Sequence, residues 1–64
     1  MKRQKLIEAR KKQGMTQKEV AHKAAMQQTM YSRKERGLSP IRREEWIRFA
    51  YILNIGPNDI NSLK

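Results

Sequence analysis

The chain of 64 residues contains no cysteine, so neither a disulfide nor a thiolate metal site can staple it. Its one histidine, His22, stands in mid-helix beside Lys23; without a second ligand or a paired carboxylate it builds neither a metal site nor a catalytic triad. Glycine is scarce, and none of it forms a phosphate-cradling loop. The acidic residues Glu8, Glu19, Glu35, Glu44, Glu45 and Asp59 are scattered, each with a structural use. No catalytic residue, metal, cofactor or small-molecule substrate is therefore implied, and the chain does not read as an enzyme. No apolar run is long enough to span a bilayer or to act as a signal sequence. The aromatics Tyr31, Trp46, Phe49 and Tyr51 are few and are mostly assigned to the core, which leaves no exposed stacking platform for single-stranded RNA.

What the chain has in excess is positive charge. Fifteen Lys and Arg against 6 Asp and Glu give a formal net charge of +9, with a pI near 10.5. A small domain this basic implies a polyanionic partner, nucleic acid first and an anionic membrane surface second. Sixty-four residues allow one domain, 1–64, with one small core that is marginal by size alone. One cluster of charge comprises Lys2, Arg3, Lys5, Arg10, Lys11 and Lys12; a second comprises Arg33, Lys34, Arg36, Arg42 and Arg43. Leu6, Ile7 and Arg10 lie at helical spacing, so the first cluster reads as a helix with Leu6 toward the core and its lysines on a solvated face.

Residues 16–37, TQKEVAHKAAMQQTMYSRKERG, read as two short helices joined by a tight turn. Thr16 and Glu19 form a T-x-x-E capping box that starts the first of them. Val20, Ala21 and Ala24 share one face, and the small Ala21 suits close approach by the next helix. Met26 supplies an apolar plug after the turn at Ala25. Tyr31 and Glu35, four apart, point back toward the first helix of the pair. The opposite face carries Gln28, Thr29, Ser32 and Arg33, whose amides, hydroxyls and guanidinium are groups that read base edges. An inward carboxylate at Glu35 needs a cation. Arg10, four residues after Leu6, is the one whose place on its helix points the same way.

A further helix is expected from about Arg42 to Asn54, with Trp46, Ile47, Phe49, Ala50, Ile52 and Leu53 as a core-facing stripe and Tyr51 just off it. Gly56-Pro57 then punctuates, with Gly at the cap and Pro at the first position of a last short helix. Pro57, Ile60 and Leu63 form either a modest apolar patch or, through Ile60, the closure of the core. Ending at Lys64, the chain reads as a complete small protein or as the DNA-binding half of a longer one.

TQKEVA, the helix ending in SRKERG, and FAYILNI together resemble the Cro/repressor, or xenobiotic-response-element, helix-turn-helix family, over about Leu6 to Ile60. The resemblance implies an all-α, lambda-repressor-like domain of five short helices whose second and third form the helix-turn-helix. Three positions depart from the family pattern. Ala25 stands where the turn usually has Gly, Lys34 replaces an apolar residue, and Ile41 stands where a Pro often precedes helix four. For Lys34 the expectation is an aliphatic stem over the core with its ammonium in water.

The resemblance further implies sequence-specific binding of double-stranded DNA by a transcriptional regulator, as a homodimer on a palindrome, in the cytoplasm and on the nucleoid. It casts Gln28, Thr29 and Arg33 as base readers. Gln17, Lys18, Gln27, Ser32, Arg36, Arg42 and Arg43 become rim or backbone contacts. Arg10 and Glu35 become a structural salt bridge, as the physical need for a partner to Glu35 also requires. Arg42 and Arg43, near the start of a helix, suit phosphate, although they also read as ordinary surface arginines. Two other readings remain open at this point: an antitoxin-like protein-interaction module with autoregulatory DNA binding, and a nonspecific binder of RNA or anionic membrane.

Overall fold

The computed structural model describes residues 2–64, the side chain of Pro57 excepted. It contains α1 (Gln4–Lys12), α2 (Gln17–Lys23), α3 (Gln28–Glu35), α4 (Arg43–Ile52) and a terminal 3₁₀ helix (Pro57–Leu63), with no strand among the described residues. The all-helical, five-helix expectation holds, with the last element wound as 3₁₀.

All four α-helices stop in the same way. Gly14, Ala25, Gly37 and Asn54 take left-handed φ values of 69, 57, 76 and 60°. In each case the two N–H groups after the helix turn back onto its last carbonyls, as in Met26 N to Ala21 O at 2.9 Å and Leu38 N to Arg33 O at 2.9 Å. Ala25 carries a Cβ into that conformation at a cost of about 1 kcal/mol. The same motif ends α4 at Ile52, earlier than the expected Asn54, because Asn54 is the left-handed residue.

Leu6, Val20, Ala21, Ala24, Tyr31, Trp46, Phe49, Ala50, Leu53 and Leu63 make the core. Phe49 is its centre, meeting Tyr31 edge-on at 5.4 Å and Trp46 edge-on at 6.5 Å between ring centroids. On α4 the placing of Ile47 in the core stripe is corrected, while Tyr51 stands off the stripe. Ile47 is 46% exposed and Tyr51 85% exposed; Trp46 and Phe49 set the buried direction, and Ile47, one residue on, is rotated about 100° away from Trp46. At the chain end Leu63 is buried and Ile60 packs on the core edge, so these two close the core and do not form a surface patch. The Pro57 side chain lies outside the described residues.

Cations from distant parts of the chain tie these elements together. Arg48 Nη1 donates to Ala24 O at 3.1 Å, joining α4 to the end of α2. Arg3, grouped by sequence with the first basic cluster, is half-buried; its backbone N–H donates to Glu35 O at 2.7 Å and its guanidinium to Lys34 O and Ser39 O. Lys34 is buried, and its ammonium is not in water. It donates to Pro40 O at 2.9 Å and pairs with Glu45 at 3.3 Å, because a desolvated ammonium requires partners and these are within reach of its stem.

Candidate nucleic-acid interface

The interface begins at a capped helix start. Thr16 Oγ1 accepts the Glu19 N–H at 3.1 Å, and Glu19 Oε1 accepts the Thr16 N–H at 3.0 Å. The hydrogen bond from Thr16 holds the Glu19 carboxyl below the usual carboxylate range. This reciprocal cap places Gln17 at the first position of α2, facing the start of α3.

Five of the residues singled out in the sequence meet at that junction. Gln17, Gln27, Gln28, Thr29 and Ser32 line one shallow depression between the two helices. Gln28 and Thr29 are exposed in the first turn of α3 and Arg33 is exposed near its end; Thr29 and Arg33 lie on the side opposite the buried Tyr31, Lys34 and Glu35, and Gln28, seven residues before Glu35, lies at the edge of the buried side. The exposed side chains offer amide, hydroxyl and guanidinium groups to anything lying along α3.

Behind this face sits a buried charged cluster. Arg10 Nε lies 2.6 Å from Glu35 Oε2, with Arg10 Nη2 at 3.4 Å from Oε1. Gln17 Nε2 donates to the same Oε1 at 2.9 Å, and Arg10 Nη1 to Met15 O at 2.9 Å. The carboxylate is thus shared by an arginine of α1 and a glutamine of α2, and all three helices are fixed relative to one another. The Tyr31 hydroxyl is buried beside this cluster without a hydrogen-bond partner among the described residues. Burial, and then the neighbouring Glu35 carboxylate, push its pKa well up.

The remaining basic candidates are arranged around the rim. Lys18, Arg36, Arg42 and Arg43 are all exposed. Arg42 caps α4, where its N–H donates to Glu45 Oε1 at 3.0 Å. Burial raises the Glu45 carboxyl, but the Arg42 N–H and the Lys34 ammonium outweigh it and hold the group below its ordinary value. Arg43 turns toward the chain end and lines a groove with Ile41, Trp46 and Lys64. Sequence reading missed the roles of Arg3 and Arg48, whose partners are backbone carbonyls and leave no mark in residue type. Gln17, a rim or backbone contact by sequence, also faces inward, where its amide donates to Glu35.

Among the described residues no helix is long and apolar enough to cross a membrane, and no group of three metal-ligating side chains forms. A family model described as helix-turn-helix matches residues 6–60. No curated protein and no solved structure gives a significant match.

Proposed function

Because the chain belongs to the helix-turn-helix family, of the Cro/repressor type whose domains bind DNA as transcription regulators, we propose that it is a repressor acting as a homodimer on a palindromic operator. The observation that carries the reading is the exposed face of α3, where Gln28, Thr29 and Arg33 stand clear of the core beside Gln17 of α2. In a major groove, Gln28 pairs with adenine, Arg33 with guanine, and the Thr29 methyl packs on a thymine methyl. Gln27 and Ser32 contact the rim. Gln17, Lys18, Arg36, Arg42 and Arg43 hold phosphates and set the register.

Dimerisation follows from size. A single module buries on the order of 600–1,000 Å² on DNA, too little to specify a genomic site well. Two copies with half-site centres about 34 Å apart double the reading surface. Such a dimer neutralises on the order of eight phosphates and shows a slope of about −7 in log K against log salt.

A polycation without sequence preference has a similar slope, so the decisive measurement is competition. The best duplex selected from a random pool outcompetes random duplex by about a thousandfold or more near physiological salt. If the two bind within a few-fold of each other while the protein is dimeric, the specific-regulator reading fails and nonspecific polyanion binding replaces it.

A further inference from the structure

The segment between α3 and α4 is tied down by two cations that do not face outward. Lys34 Nζ donates to Pro40 O at 2.9 Å and pairs with Glu45 at 3.3 Å. Glu45 Oε1 in turn accepts the Arg42 N–H at 3.0 Å. From the other side Arg3 donates to Ser39 O at 2.9 Å and to Lys34 O. Ser39, Pro40 and Arg42 are thus each held by a charged side chain, directly or through Glu45. Ile41, between them, packs on the core edge.

Stability alone does not account for this choice of residue. Lys34 and its partner are largely buried, with side chains 10% and 21% exposed. A buried ion pair recovers little beyond its desolvation cost, and an apolar pair of similar volume in place of both members serves stability as well or better. An apolar residue at this position would fill the space but leave the Pro40 carbonyl and the Glu45 carboxylate without their donor. What the ammonium adds is a fixed place for the chain that leads into Arg42 and Arg43.

We propose that Lys34, assisted by Arg3, is a positioning residue for DNA: it clamps residues 39–42 onto α3 so that Arg42 and Arg43 meet phosphates in register with the recognition face. This rests on the reading of Arg42 and Arg43 as phosphate contacts. The clamp acts on sequence-independent binding, because phosphates hold the protein in place without identifying bases.

The test is Lys34→Met, which keeps an unbranched stem and removes the ammonium. Affinity for the selected duplex and for random duplex is measured by fluorescence anisotropy across a salt series, beside thermal unfolding. The expected result is a lowered melting temperature, because the Glu45 carboxylate and the Pro40 carbonyl lose their donor, with the chain still folded at the assay temperature. Affinity drops about tenfold for both duplexes near physiological salt, the slope of log K against log salt becomes shallower by about 1 to 2, and the selected consensus is unchanged. Lys34→Arg restores most of the loss. Should Lys34→Met fail to fold, Glu45→Gln decides in the same terms, since its amide oxygen still accepts from Arg42 N–H while the ion pair is gone. Unchanged affinity and slope in the deciding variant, with Arg42→Ala/Arg43→Ala weakened, overturn the clamp and leave the phosphate reading standing. A shifted consensus also overturns it. If Arg42→Ala/Arg43→Ala binds both duplexes like the parent chain, the phosphate reading fails and the clamp with it.

Discussion

The two faces of α3 are built from the same kinds of residue and have opposite fates. The inner face holds Tyr31, Lys34 and Glu35, and the outer face holds Gln28, Thr29 and Arg33. Both carry a basic and a polar group on one eight-residue helix. Inside, every charge is consumed: Glu35 by Arg10 and Gln17, Lys34 by Pro40 and Glu45. Outside, the side chains are left to solvent. A charge on this helix is therefore structural or available according to whether a partner reaches it, and residue type does not separate the two.

The largest effect expected from breaking that division is on the inner face. Glu35→Gln strands the Arg10 guanidinium in a buried site and weakens the bond that orients Gln17. The loss is on the order of 3 kcal/mol, which for a domain of this size is a fall of more than about 10 °C in melting temperature. An unchanged melting curve would mean that the pair adds nothing and that the two faces do not differ energetically. The outer face gives the reverse pattern. Arg33→Ala leaves stability within about 0.5 kcal/mol but costs about 1–3 kcal/mol of binding and relaxes base preference at one position of each half-site. Retention of the parent consensus by that variant would refute the base-reading role.

A smaller effect sharpens the same contrast through pH. The Glu45 carboxyl is held below its ordinary value of 4.5. A depressed carboxyl stabilises the fold fully above its unfolded pKa, and the contribution is lost as pH falls through the lower, folded value. Acid titration of the melting temperature therefore shows a decline beginning below about 4.5 that is shallower in Glu45→Gln. Parallel acid profiles for the two proteins would place Glu45 outside the linkage.

Much of the architecture is legible in the residues because it depends on near neighbours. Thr16 and Glu19 are three apart and cap α2 as their spacing requires. The turn at Ala25 is left-handed, as the helix-turn-helix pattern demands despite the missing glycine. Val20, Ala21 and Ala24 share the buried face that helical spacing assigns to them. Ile47 shows the limit of such reading: a run of apolar residues marks a helix as core-facing, but only the packing of Trp46 and Phe49 determines which 100° step falls outside.

The sequence by itself determined the helix order, the capped start of α2, most of the core, and the family, because capping and amphipathic spacing act over a few residues. Only the tertiary structure decided which cations stay available to a partner. Arg3 finds Ser39 across 36 positions and Arg48 finds Ala24 across 24, whereas the pairing of Arg10 with Glu35, 25 apart, is already legible from helix register and the need of an inward carboxylate for a cation. Lys34 is committed over 6 and 11 positions, but only because the chain folds back through Pro40. Electrostatic pairing depends on separation in space and on solvent exclusion. Neither quantity exists for these residues until α1, α3 and α4 have packed together.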